Sequence, residues 1–221
     1  RSAMGLNAVM RLSNLSFAAG PDGLAAAVGR LEETLGVEFR DGGFHPRFGT
    51  RNNILTMADG RYIEVVEVLE HPAAEKAIFG QAVRARTELG GGWLAWVLEV
   101  DDMSPLEARL ERQAVDGTRQ FPDGRRLDWQ QIGIKGLMAD PQLPFFVKWT
   151  SDPELRPSAL PPEPVELLEI RLSGSPERVS EWVGEDLGPV FDGVALSFNS
   201  PNGNPGIEAV TFRCPNGIVT I

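Results

Sequence analysis

Residues 11–35 read Arg11-Leu-Ser-Asn-Leu-Ser-Phe-Ala18, then Pro21-Asp22-Gly23, then Leu24-Ala-Ala-Ala-Val-Gly-Arg-Leu-Glu-Glu-Thr-Leu35, with Gly36 behind them. The first run reads as a strand and the Pro-Asp-Gly triplet is turn chemistry. The last run repeats its apolar residues at helical spacing before a glycine that ends it. Short strands are then expected around Val37 to Arg40 and Asn53 to Met57, followed by an Asp59-Gly60 hairpin turn and the alternating strand Tyr62 to Leu69.

This order recurs twice. A second block runs Trp93 to Val100, a helix opened by Ser104-Pro105 and reaching about Ala114, strands near Gly117 to Phe121 and Leu127 to Ile134, and the strand Phe145 to Thr150. A third runs Val165 to Leu172, a helix from Ser175-Pro176 to about Val183, and strands Val194 to Phe198, Ile207 to Phe212 and Gly217 to Ile221. Its turns fall at Pro201-Asn202-Gly203-Asn204 and Pro215-Asn216-Gly217. Three near-equal blocks, 11–69, 93–150 and 165–221, predict an α+β fold of tandem βαβββ modules. The connector between the first two holds a helix expected over Ala73 to Glu88 and a hinge at Gly90-Gly91-Gly92. Ser151 to Pro164 carries five prolines and reads as an extended, stiff linker. A βαβββ unit curls a short sheet over one helix and leaves its other face open, so modules one and two are expected to close into a cup. The third then packs on them or pairs with its equivalent in a homodimer.

Composition narrows the function. With 221 residues, 42% of them hydrophobic and 24% charged, the chain is long enough and mixed enough to bury a core. A net charge of −10 argues against nucleic-acid and anionic-membrane partners, leaving local basic patches only. One cysteine, Cys214, permits no internal disulfide and no cysteine-based zinc cluster, and the histidines are His45 and His71. No apolar run is long enough to span a membrane and the start lacks secretory character, so a cytoplasmic location is expected. Arg1 to Ala3 read as a cloning remnant ahead of a start at Met4 or Met10.

Three separated motifs carry a resemblance: His45-Pro46-Arg47-Phe48-Gly49-Thr50-Arg51-Asn52, Asp59-Gly60-Arg61-Tyr62-Ile63-Glu64 and Leu143-Pro144-Phe145-Phe146-Val147-Lys148-Trp149. In this order, over roughly residues 11–150, they resemble the glyoxalase-like domain branch of the vicinal oxygen chelate superfamily, which includes glyoxalase I, extradiol dioxygenases and fosfomycin- and bleomycin-resistance proteins. The third block lies outside the core of that resemblance. The resemblance implies a cup with a small-molecule cavity. In catalytic members it also implies one divalent metal held from the first and last strands of each module, commonly by His and Glu. Here those positions fall on Asn14 and Glu64 in block one, and on Ala95 or Trp96 and Lys148 in block two. Glu64 alone is an ordinary ligand, so no metal cofactor is expected.

Alternation places Tyr62, Glu64 and Val66 on one face of their strand, and Leu12, Asn14 and Ser16 on one face of theirs. Lys148 is expected to face Glu64 across the cup, its ammonium standing in for the lost cation, and these two are the candidate catalytic pair. The candidate ligand-binding residues are Asn14, Tyr62 and, from the polar run His45 to Asn53, His45, Arg51 and Asn52, with Trp129 and Trp149 as apolar walls. That polar run suits an anionic or carbonyl-bearing small molecule. It suits equally a strand entry whose side chains satisfy backbone groups. His71 reads as a solvated loop residue and Cys214 as a buried spectator thiol. Two functions follow: metal-free binding of a small molecule, or an enzyme using reassigned metal ligands or acid–base chemistry at Glu64.

Overall fold

In the first module β1 (Met10–Ala18), α1 (Leu24–Leu35), β2 (Arg40–His45), β3 (Thr50–Thr56) and β4 (Tyr62–Val68) follow one another, with β1 parallel to β4 and β2 and β3 continuing outward. This is a computed structural model, which describes residues 9–121, 123–199 and 204–221; the turn expected at 201–203 and the start at Met4 lie outside them. α1 ends where expected, at Gly36, whose φ of 75° is left-handed and lets its N–H reach the Glu32 carbonyl. β2 begins at Arg40, where the sequence suggests a strand ending, and runs on to His45 through a bulge between Asp41 and Gly43.

The connector forms two helices, α2 (Pro72–Lys76) and α3 (Ile78–Glu88), with Ala77 extended between them. The imidazole of His71 caps α2, its Nδ1 accepting the Ala73 N–H at 3.1 Å. The second module repeats the first: β5 (Gly92–Val100), α4 (Ser104–Leu110), β6 (Val115–Gln120), β7 (Arg126–Ile132), a short α5 (Gly136–Ala139) and β8 (Phe145–Trp149), with β5 parallel to β8. Ser104 is the first residue of α4 and not its cap, which is Met103; the Ser104 N–H donates to Asp102 Oδ1 at 3.0 Å, and the helix stops at Glu111 in a left-handed conformation, short of Ala114.

β1 and β5 pair antiparallel, so the two modules share one eight-stranded sheet ordered β2-β3-β4-β1-β5-β8-β7-β6. The outer strands β2 and β6 come together, and Arg47 donates to the Asp116 carbonyl at 3.2 Å across the gap, which curls the sheet into a cup. α3 lies within it: Phe79, Ala82 and Val83 pack with Val66, Val97, Phe145 and Val147. The connector therefore fills part of the space the modules enclose.

The remaining elements are β9 (Glu166–Ser173), α6 (Pro176–Val183), β10 (Val190–Phe191), β11 (Val194–Asn199), β12 (Gly206–Cys214) and β13 (Gly217–Thr220), in a five-stranded sheet ordered β10-β11-β9-β12-β13. β11 is parallel to β9 as β4 is to β1. β12 lies antiparallel on the other edge of β9, the place that β5 takes beside β1. This sheet packs on the outer face of the cup: Leu15, Trp96, Leu98, Ile170, Leu172 and Phe212 belong to one core. Indole N–H groups tie the layers together, Trp93 donating to the Ile221 backbone oxygen at 2.8 Å and Trp182 to Pro144 at 2.7 Å. Of the two packings open to the third block, its own chain supplies one.

The stretch 151–164 is not extended. Prolines at first helical positions start two single 3₁₀ turns, Pro153–Leu155 and Pro157–Ala159, the first capped by Asp152. It folds onto the cup, where the Thr56 hydroxyl donates to the Pro157 carbonyl at 2.7 Å. Cys214 is buried, its thiol on the Gly217 carbonyl at 3.2 Å.

Candidate functional site

Register fixes the polar centre of the cup. Ser16 on β1 stands directly beside Glu64 on β4, and Asn52 on β3 is the diagonal neighbour of Glu64 on the same face. The Ser16 hydroxyl donates to Glu64 Oε1 at 2.5 Å and the Asn52 amide to Oε2 at 2.8 Å. Burial pushes the Glu64 carboxyl above its ordinary value, against the two hydrogen bonds and the nearby Arg119 charge, which favour ionisation. Gly42 makes the clasp sterically feasible, since a Cβ there would fall 1.8 Å from Asn52 Oδ1.

Around this centre is a cavity of about 70 Å³. That is room for about five water-sized groups at ~10–15 Å³ each. Asn14, His45, Asn52, Tyr62 and Glu64 line it from the first module and Trp129 and Trp149 from the second. His45 is buried, with Nδ1 3.2 Å from the Thr50 hydroxyl and its ring edge-on to Trp129. Burial, and secondarily the Arg119 charge, lower its pKa to about 3, so the imidazole is neutral at pH 7. Burial likewise holds the Tyr62 phenol protonated, well above its usual value, with Glu64 adding to the effect. Trp129 lies across Gly117, where a Cβ would come within 2.3 Å of the indole, and donates to Gln131 at 2.9 Å.

Two expected residues are elsewhere. Lys148 alternates with Phe145, Val147 and Trp149, which face the cavity, and so projects from the opposite face of β8, towards Asp101 and Asp102. The Glu64–Lys148 pair does not form. Arg51 likewise alternates outward from Thr50 and Asn52, and its guanidinium pairs with Glu67 at 2.7 Å, half exposed. Leu12 also leaves the face of Asn14 and Ser16, because β1 bulges between Leu12 and Asn14 and turns Leu12 into the outer core.

The residue that sequence reading missed is Arg119, on edge strand β6. It is buried, lines the cavity and packs its guanidinium over the Phe121 ring at 4.3 Å. Gly43, with a φ of 83°, leaves space for it; a Cβ there would lie 3.2 Å from Nε. Among the described residues Arg119 has no ion-pair partner within 4.0 Å, and its Nε is buried without an acceptor. Burial lowers its pKa, and the Asp41, Tyr62 and Glu64 groups oppose that shift. The available signal was alternation, since Gly117 and Arg119 share a face of β6.

A divalent metal does not fit this donor set. Ala95, Val97, Phe145 and Val147 make the inward face of β5 and β8 apolar. Both Glu64 oxygens already hold donors, and a guanidinium stands close by. Among the described residues no three His, Cys, Asp or Glu side chains converge as ligands, and no helix is long and apolar enough to cross a membrane.

Paired βαβββ modules joined through their first strands, with a polar-centred cavity on the inner face, define a glyoxalase-type cup. The chain belongs to the glyoxalase-like domain family, whose model matches residues 16–187 and so reaches past the cup into α6. No curated protein matches the chain. Among solved structures, a hypothetical protein from Staphylococcus aureus is similar over 96% of this chain and 84% of its own, at 15% identity and a TM-score of 0.60. The methylmalonyl-CoA epimerase from Mycobacterium tuberculosis is similar over 66% of this chain and 90% of its own, at 16% identity and a TM-score of 0.41.

Proposed function

We propose that the chain binds a small carboxylate- or carbonyl-bearing molecule in the cavity between modules one and two, without a divalent metal. The observation that carries this reading is Arg119. A buried guanidinium with no carboxylate partner is costly to keep dry, and an acceptor oxygen from a ligand would offset that cost with a charge-assisted, bidentate contact. Asn14, Tyr62 and neutral His45 would orient the rest of the molecule, with Trp129 and Trp149 as its apolar walls. The cavity volume limits the enclosed part to a few non-hydrogen atoms. The test is calorimetric titration with two- to four-carbon carboxylic and oxo acids. Binding to the wild type should weaken at least tenfold in Arg119→Met and survive in Arg51→Gln, whose guanidinium faces away. Equal binding by Arg119→Met would end this reading.

A second reading, acid–base catalysis at Glu64, is favoured by the raised pKa of a carboxyl that lines the cavity. Lys148 has no part in it. In deuterated water, a bound acid should exchange the hydrogen beside its carbonyl, and Glu64→Gln should stop that exchange while leaving binding in place. Unchanged exchange in the variant would exclude this role.

A further inference from the structure

Outside the cavity lies a larger groove of about 720 Å³, and the two share walls at Phe48, Phe79, Gln131 and Ile134. Four cations line the groove: Arg47 in the β2–β3 turn, Lys76 at the end of α2, Arg112 after α4 and Lys135 after β7. Asp116 is the one carboxylate among its lining residues, and Arg47 contacts the Asp116 backbone oxygen. Among the described residues none of the four cations has an ion-pair partner within 4.0 Å, although the chain carries ten more acidic than basic groups. Like charges gathered from four separate elements repel one another. On a strongly acidic protein their convergence on one concave surface produces a local positive field suited to a multiply charged anion. Arg112 is also held in place, its guanidinium 5.3 Å from the Trp182 ring, so that α6 positions a groove residue.

Resting on the small-molecule reading of the inner cavity, we propose that the ligand is bipartite. Its small head enters the cavity beside Arg119 and Glu64, and a phosphate-bearing tail lies in the groove against Arg47, Lys76, Arg112 and Lys135. Volume supports the division. The inner cavity cannot hold more than a small fragment, whereas the groove falls within the ~300–1,000 Å³ of ordinary ligand sites. Lysine and arginine together supply the point charges and forked donors that phosphate oxygens accept.

The probe is inorganic pyrophosphate, titrated calorimetrically into the full chain at low and at near-physiological salt. Wild-type protein should bind it, with affinity falling as salt rises. Lys76→Gln/Lys135→Gln should weaken binding at least tenfold, whereas Lys148→Gln, on the outer face of β8, should leave it within twofold. Small carboxylates should not compete. Absence of pyrophosphate binding in the wild type, or equal binding by the double variant, overturns the proposal, and so does competition by a small carboxylate, which would place the anion in the inner cavity. Carboxylate binding without pyrophosphate binding would reject the groove and keep the cavity reading. Pyrophosphate binding that depends on the two lysines, without carboxylate binding, would do the reverse.

Discussion

Asn52 turns its amide nitrogen to Glu64 Oε2, 2.8 Å away, and so leaves its own Oδ1 buried with no hydrogen-bond partner. Rotated by half a turn, the amide would present Oδ1 to Glu64, an arrangement that only the protonated acid can use. Because burial raises the Glu64 pKa above 4.5, the folded state holds this proton more tightly than the unfolded chain does. The stability it contributes is therefore complete below about 4.5 and is lost as pH rises through the folded value. Glu64→Gln resembles the neutral acid and cannot ionise. Its stability relative to the wild type should rise as pH increases above about 4.5, measured by urea denaturation across pH. A pH-independent difference would contradict the shift.

Gly42→Ala should break the same clasp from behind. A methyl group 1.8 Å from Asn52 Oδ1 must displace the amide or the bulge of β2. Loss of one donor from this half-buried carboxylate costs about 1 kcal/mol, the low end of the range for a fully buried group. Thermal denaturation should show that loss, together with a further rise in the Glu64 pKa seen by carboxyl NMR.

The repeated order of strand, helix and strands was legible because each block carries its own turn and cap residues, as Gly36 and Ser175 illustrate. Glu64 and Tyr62 followed from alternation on β4, whose pairing with β1 and β3 runs without a register shift, and Asn14 keeps its face with Ser16 because both lie on the same side of the bulge after Leu12. Lys148 and Leu12 did not, since a side-chain period of two turns every one-residue error into a change of face. The bulge in β1 supplied one such error, and on β8 Lys148 falls one residue away from the cavity-facing Val147 and Trp149. Arg119 was hidden for a different reason. Its cavity position depends on the approach of β2 to β6, and on room left by Gly43, relationships between elements far apart in sequence. The same holds for α3, whose place inside the cup no local pattern encodes.

His45 should make the fold sensitive to acid. Its unfolded pKa is near 6.5 and its folded value about 3, so the neutral ring contributes stability that is fully present above 6.5 and lost as pH falls towards 3. Within that window one such group changes stability by up to about 1.4 kcal/mol per pH unit. In His45→Gln that component should vanish, and the difference from wild type should follow the imidazole titration. Parallel pH profiles for the two proteins would show that the ring is not buried in its neutral form.

Phe212 tests whether the third block and the cup unfold together. It is 0% exposed on β12, with its ring 6.1 Å from Trp93 on β5, so one side chain belongs to both layers. Removing a fully buried phenylalanine costs about 3–5 kcal/mol. If the layers unfold as one cooperative unit, Phe212→Ala should lower the protection of slow-exchanging amides in β1, β4 and β5 as much as in β9 and β12. If they unfold separately, hydrogen exchange would show the loss confined to β9–β13. The indole bonds from Trp93 to Ile221 and from Trp182 to Pro144 cross the same boundary and leave with it, which favours the single unit. A variant that opens the C-terminal sheet while the cup amides keep their protection would therefore refute the shared core.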